Sequence, residues 1–392
     1  MKQRYLIFWF FLVINLPAFA QWTLCNPGHG NVYTMEVCGD TIFEGTLEGI
    51  YVSTDHGATW NESGEGLAYP IVRDLLTLGD KLFAATDSGI YVTTDRGLSW
   101  NPACEGLTGY QVSALCSNDY GLFAATFDGG VFVSQNEGNS WNPVNNGLEN
   151  PEIHALASRG DELYAGTMGN GVYRSVDNGN SWFPINDGLA SLYIKSLYTW
   201  NGRIWAGSMG GFRILEPGAM EWSDVNGTLL YDVRSYTPYG DKLFIGTDGG
   251  GVFYTPDNGL NWIKCNEGFH DMTIYSMAVC GPWVFAGQCC GNGLWRRPVE
   301  QCVGFNSPDV LGQVALYPVP FNNRFTMELP DIQSSESIRA SLYDASGHLL
   351  YSRDIAEKKT VIPVANPSPG IYFLQIQTSS GNLLRMVTSY GR

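Results

Sequence analysis

Seven side chains follow a recurrent aliphatic by one residue: Tyr33, Arg73, Ser113, His154, Lys195, Arg234 and Tyr275, after Val32, Val72, Val112, Ile153, Ile194, Val233 and Ile274. Brought together, three fixed cations, a histidine and two tyrosines would form a positive funnel on a protein of formal net charge −16. Arginine forks suit carboxylate or phosphate oxygens, and tyrosine rings stack on sugars or bases, so the chemistry would be capture of a ligand. The competing reading pairs these cations with Asp74, Asp232 or Glu152 and leaves them a sealing role. A second chemistry would use paired carboxylates. Asp74, Asp128, Asp232 and Asp248 fall in turns or at strand starts, and glycoside hydrolysis needs two acids about 5–10 Å apart. No nucleophile elbow, phosphate-binding loop or dinucleotide fingerprint occurs. The cations are too few and too scattered for general nucleic-acid binding, which needs clustered Lys and Arg.

The elements that would position these residues come from a repeat. Trp22, Trp60, Trp100, Trp141, Trp182, Trp222 and Trp262 recur at spacings of 38 to 41 residues. A period of this length marks a solenoid or a propeller. Each unit reads as short β runs broken by turns, as in Asp80-Lys81-Leu82-Phe83-Ala84-Ala85-Thr86 and Asp241-Lys242-Leu243-Phe244-Ile245-Gly246-Thr247, with no helical period. The expected fold is all-β: a seven-bladed β-propeller followed by a small C-terminal β-sandwich. Trp22–His29 aligns with Trp262–Phe269, so the N-terminal strand is expected to close the last blade, a device that leaves no exposed edge. Innermost strands would then gather the seven variable residues into a ring at one channel mouth.

A hairpin in each unit carries Asp55, Asp95, Asn136, Asp177 or Asp257, each two residues before a Gly and five before the Trp. This pattern resembles the Asp-box, or BNR repeat, of sialidases, sortilin-like receptors and some glycosidases. The side chain would accept hydrogen bonds from turn amides, the Gly would take positive φ, and the Trp would pack between blades. The copy at Leu215–Trp222 has lost the Asp. Sialidase chemistry is not expected, since the arginine triad of that family has no counterpart and Phe212-Arg213-Ile214-Leu215 lacks the proline of its first motif. Xyloglucanase-like enzymes share the repeat but use two propellers. Residues 22–300 are similar in architecture to photosystem II assembly factors, which implies a binding scaffold.

Nine cysteines in an exported chain invite disulfides. Cys25, Cys104 and Cys265 share one repeat position and Cys38, Cys116 and Cys280 another, and the two positions are filled together. This predicts Cys25–Cys38, Cys104–Cys116 and Cys265–Cys280, with Cys302 bonded to Cys289 or Cys290. No metal or cofactor is expected, because no ligand spacing supports one.

Both ends of the chain speak of export. Lys2 and Arg4, the apolar run Leu6–Leu16 and Ala18-Phe19-Ala20 predict a signal peptide over 1–20, with no later segment able to span a membrane as a helix. The repeat domain is expected at 21–305, a linker at 306–313 and a second domain at 314–392. That last part carries Leu316-Tyr317-Pro318-Val319-Pro320-Phe321, then Leu342-Tyr343-Asp344-Ala345-Ser346-Gly347, then Gly370-Ile371-Tyr372-Phe373-Leu374, with Gly381 and Arg385 at the end. It resembles the type A sorting domain of the type IX secretion system of Bacteroidetes, departing from it at Val319, where Asn is usual. The resemblance implies a secreted or outer-surface protein that engages that machinery through residues 314–392. The resemblance also implies passage through the outer membrane, usually followed by removal of the module and release or surface attachment. The expected activity is non-catalytic binding of a glycan, surface polymer or protein by a monomer. A glycoside hydrolase and a structural surface protein are the alternatives.

Overall fold

The computed structural model describes residues 21–390, apart from 27–29, 69–70, 108–109, 225–230, 304–314, 318–320, 330–337, 345–347, 356, 366 and 379–380. The expected signal peptide and linker therefore lie outside the described residues. Short β-branched and aromatic runs between Gly-bearing turns give strands throughout, with a single short helix, Val299–Val303, among the described residues.

Seven antiparallel sheets occupy the repeat. The first pairs Val32–Cys38, Thr41–Thr46, Ile50–Ser53 and Asn61–Glu62, in that order, and the next three follow the same plan. The fifth has only Ile194–Trp200, Arg203–Ser208 and Gly211–Leu215. There the Asp-box is missing and Ile214 meets Ser223 in an isolated bridge. The sixth sheet is four-stranded again, and Thr23–Asn26 pairs with Leu294–Pro298 as the outer strand of the seventh. The expected seven-bladed propeller of four-stranded blades is corrected here. Strand pairing gives nine separate open sheets of three or four strands, none closed into a barrel or propeller and none curled. The reason is that strand pairing stops at each outer strand, and neighbouring sheets meet through packed side chains and a few single hydrogen bonds, with no strand ladder between them.

Those side chains form layered cores. One holds Phe83, Ala85 and Ile90 of the second sheet against Val112, Leu115 and Phe132 of the third, and the others repeat the pattern. The inner strands contact their neighbours in sequence, and Val32–Cys38 also contacts Ile274–Cys280. At five outer edges among the described residues a tryptophan ties one unit to the one before. The indole N–H of Trp182 donates to the Val144 carbonyl (2.7 Å), and its backbone N–H donates to the Asn146 carbonyl (2.9 Å). Trp22, Trp100, Trp141 and Trp222 repeat both bonds toward their own preceding units. Gly147 completes this joint. Its φ is +89°, and a Cβ there would lie 2.2 Å from the Trp182 carbonyl oxygen, so the chain can approach only without a side chain.

One charged group interrupts this apolar packing. Glu44 is fully buried on Thr41–Thr46, where the other units carry Ala84, Ala124, Ala165, Ala206, Ile245 and Ala286. Its Oε2 accepts from Asn26 Nδ2 (2.8 Å) on the N-terminal strand, while Oε1 has no partner. Burial pushes its pKa up to about 8, with the Asn26 bond pulling the other way.

The last domain has two sheets over one core. Ala315–Tyr317, Arg324–Glu328 and Lys359–Pro363 form the first. Leu349–Ile355, Ile338–Asp344, Gly370–Thr378 and Gly381–Ser389 form the second. Phe321, Phe325, Leu342, Leu374 and Val387 fill the space between.

Two outcomes follow from these contacts. Trp182→Phe, which strands the Val144 carbonyl, and Gly147→Ala, which forces the Trp182 joint open, should each cost about 1–3 kcal/mol in urea unfolding. Unchanged midpoints would show that the joint does not hold the units together. For Glu44, the native group keeps its proton where the unfolded chain has lost it. Stability should therefore fall as pH rises from about 4 to about 8 and level off above. Glu44→Gln should match the parent near pH 4, exceed it by a few kcal/mol at pH 8 and flatten the thermal profile. Parallel profiles would refute the assignment.

Candidate functional site

The seven variable residues converge because of a repeated backbone irregularity. Each inner strand breaks register just after its recurrent aliphatic, between Val32 and Thr34, Val72 and Asp74, and so on to Ile274 and Ser276. Tyr33, Arg73, Ser113, His154, Lys195, Arg234 and Tyr275 are the residues inside these seven bulges. A bulge re-aims its extra side chain, and here all seven line one cavity of roughly 650 Å³.

The cations are mostly spoken for. Arg73 holds Asp87 with two bonds, Nε to Oδ1 (2.7 Å) and Nη2 to Oδ2 (3.1 Å). Arg234 grips Asp248 Oδ2 through Nη2 (2.6 Å) and Nε (3.2 Å). His154 Nε2 lies 3.2 Å from Glu152 Oε1, yet burial depresses its pKa, so it adds little charge near neutrality. Of the acids expected as sealing partners, only Glu152 serves. Asp74 and Asp232 bond backbone amides instead. Lys195 has no ion-pair partner among the described residues.

Paired arginines and rings alternate along the mouth. Arg234 lies 4.7 Å from the Tyr275 ring centroid, and Tyr275 stacks on Tyr33 at 6.0 Å and 15°. Arg73 sits 5.4 Å from Tyr33 and 5.3 Å from Phe127, and Phe127 meets His154 edge-on at 4.7 Å. Asp87, Phe127 and Asp248 stand at one repeat position, fourteen residues after the first set, which Leu47, Met168, Met209 and Cys289 hold in the other units. Sequence reading passed over Asp87 and Phe127, although two Arg/Asp pairs at one spacing, across strands that must pair, were a usable signal.

Deeper in the cavity, Asp74 accepts from the Leu115 (2.8 Å) and Leu75 (2.9 Å) amides. Burial outweighs these bonds and lifts its pKa to about 7. Glu36, also pushed up by burial, accepts from the Thr77 amide, and Tyr198 stacks on Tyr236 at 5.3 Å. The four acids considered for hydrolysis do not form a free pair. Asp74 serves amides, Asp232 accepts from the Gly210 amide, Asp248 serves Arg234, and Asp128 is exposed.

The Asp-box residues lie away from this mouth, as parts of turns. Asp55 accepts from the Thr59 amide (2.8 Å) and hydroxyl (2.6 Å) and from the Ser53 hydroxyl (2.8 Å). Asp95, Asn136, Asp177 and Asp257 sit in equivalent turns. The Thr59 and Ser53 bonds hold Asp55 down at about 2.

The cysteine pairing is corrected. Cys265 bonds Cys302, not Cys280, while Cys25, Cys38, Cys104 and Cys116 are free thiols. The two repeat positions fall on successive sheets, one at an outer edge and one on an inner strand. Cys104 and Cys116 consequently belong to different cores, as do Cys25 and Cys38. Co-occurrence in sequence did not mean contact. Cys289 and Cys290 are likewise unbonded to Cys302. No cluster of His, Cys, Asp and Glu among the described residues could hold a metal ion.

Comparison with known proteins bears on both ends of the chain. Residues 315–388 match the secretion system C-terminal sorting domain, and residues 51–62 match the BNR/Asp-box repeat. No curated protein matches the chain. Among solved structures, the extracellular domain of BT4673 from B. thetaiotaomicron is similar at 15% identity and TM-score 0.59. The match covers 95% of this chain but 59% of that one. YCF48 from Cyanidioschyzon merolae is similar at 15% identity and TM-score 0.54, over 71% of this chain and 98% of that one. The GH74 xyloglucanase from Xanthomonas campestris is similar at 13% identity and TM-score 0.58, over 93% and 75%. At such identities the likeness is one of fold alone. The sorting domain marks a secreted or surface-exposed protein of the type IX secretion system. No helix of the described residues is long and apolar enough to cross a membrane.

Proposed function

We propose that this exported protein captures a glycan at the cavity mouth without cleaving it. The observation that carries this reading is the alternating arc Arg234–Tyr275–Tyr33–Arg73–Phe127, which ends beside His154 and faces the unpaired Lys195. Asp87 and Asp248 occupy both arginine forks, so these cations do not serve as anion clamps. They instead fix and polarise the rings beside them. What remains for a ligand is a set of half-buried aromatic faces, suited to the apolar faces of sugar rings, with one ammonium for a carboxylate or hydroxyl. Residues 21–305 are thus the binding domain, and residues 314–392 direct export.

The engaged state of Asp74, Asp232 and Asp248 supports binding over hydrolysis, which needs one free acid and one free base or nucleophile. The domain likeness to a xyloglucanase keeps glycans in view as the ligand class. The test uses the mature chain on immobilised neutral and acidic polysaccharides. Tyr33→Ala and Tyr275→Ala should each weaken capture by roughly tenfold or more, the loss of one good stacking contact. Lys195→Ala should weaken capture of acidic polysaccharides more than of neutral ones. Reducing ends released by the parent and lost in Asp74→Asn or Asp248→Asn would overturn the binding reading in favour of a hydrolase. Capture indifferent to every mouth substitution would leave a structural surface protein.

A further inference from the structure

Cys289 stands at the repeat position that holds Asp87, Phe127 and Asp248 in other units. Its thiol is buried, and its Sγ lies 3.0 Å from Sγ of the next residue, Cys290, which is exposed. Cys290 has φ +61°, a left-handed conformation uncommon for a residue with a side chain, and this folds the two sulfurs toward each other. The turn is tied to the aromatic arc. The Cys290 N–H donates to Asn31 Oδ1 (2.5 Å), and Asn31 Nδ2 donates to the Tyr33 hydroxyl (3.3 Å). No other thiol among the described residues is paired with either sulfur, and Cys302, the remaining candidate, is bonded to Cys265.

We propose that Cys289 and Cys290 are a redox pair that closes to a vicinal disulfide in the exported protein and forms a labile turn bonded through Asn31 to Tyr33 of the aromatic arc. Exposure sets the order of events. The Cys290 thiolate attacks a sulfur of an external disulfide, the active-site bond of an exported thiol–disulfide oxidoreductase. One oxidant sulfur leaves as thiolate and a mixed disulfide forms. The Cys289 thiol then loses its proton, and its sulfur displaces the second oxidant sulfur from Cys290. The pair gives up two electrons, the oxidant is reduced to a dithiol, and the two protons end on its thiols. Burial pushes the Cys289 thiol up to about 12, so it is not the sulfur that attacks first, and its second step relies on its closeness to Cys290. Adjacent residues hold their Cα atoms about 3.8 Å apart, below the span usual for disulfides, so the bond is strained and easily reduced. Cys265–Cys302 is buried and bridges residues 37 apart, so it serves as the resistant internal reference.

The test is differential alkylation and peptide mapping of the full chain purified without reductant. The Cys289–Cys290 peptide should resist alkylation, weigh two hydrogens less than the dithiol form, and open at roughly tenfold less dithiothreitol than Cys265–Cys302. Free alkylation of both residues before reduction, or bonding of either to another cysteine, would overturn the proposal. Glutathione disulfide provides a second readout on reduced protein. The parent should end as the internal disulfide with no adduct, Cys289→Ser should retain one glutathione on Cys290, and Cys290→Ser should take none on Cys289. A stable adduct on the parent would contradict the resolving role of Cys289. None of these readouts depends on ligand capture, so the proposal stands or falls apart from the binding reading.

Discussion

The bond between a tryptophan and the unit before it is the constraint on which the repeat domain depends. Each sheet is small, with an outer strand often only two residues long, such as Asn101–Pro102 or Asn142–Pro143. Strands that short cannot hold an edge by their own ladder. The indole supplies what the ladder lacks: a large apolar surface and a donor for a carbonyl of the preceding unit. Because its backbone amide donates to the same segment, the joint fixes both distance and orientation. The Asp-box turn is the other half of the device. At Gly138 a Cβ would lie 2.7 Å from the Phe83 ring, so the turn that the Asp-box shapes presses directly on the aromatic core of the neighbouring sheet.

This division explains why scaffold and site separate so cleanly. Outer edges carry the repeated Trp, Gly and Asp, and inner strands carry the bulges. A bulge leaves one residue per unit out of the ladder. Its side chain is free of pairing demands, and that position can hold Tyr, Arg, Ser, His, Lys, Arg and Tyr in turn without disturbing the cores. The position fourteen residues on lies at the end of the second strand or just past it, which is how Asp87 and Asp248 come to meet Arg73 and Arg234.

Much of this was legible in the sequence, and the gaps have physical causes. The Trp period, the Asp-box turns, the strand at Thr23–Asn26 and the sorting domain all follow from local pattern, because each is a short-range rule repeated many times. The variable positions could be found by subtracting the repeat. Their partners could not be found by proximity in sequence: Asp74 is adjacent to Arg73 yet serves the Leu115 amide, while Arg73 reaches Asp87 fourteen residues on. The cysteines failed for a related reason, since the two shared positions belong to successive sheets. A period also gives no information on how sheets join, and the pairing stops at every outer edge.

Glu44 and Asp74 are two of the places where the repeat is broken at a cost. Both put a carboxyl where other units have Ala or another small or apolar residue, and burial raises both pKa values. The Asp-box acids move the opposite way, since Asp55 and Asp95 are held near 2 by hydroxyl and amide donors. The sign of each effect follows from linkage. The Asp-boxes contribute stability that is present above about pH 4 and lost as pH falls toward about 2, while Glu44 and Asp74 withdraw stability as pH rises toward 7 or 8. Taken together, these four groups favour the fold most in mildly acid conditions. The two groups responsible for the alkaline loss sit apart, Glu44 against the N-terminal strand and Asp74 in the cavity wall. A charge acquired by Glu44 loosens the attachment of that strand, and one acquired by Asp74 alters the floor beneath the aromatic arc.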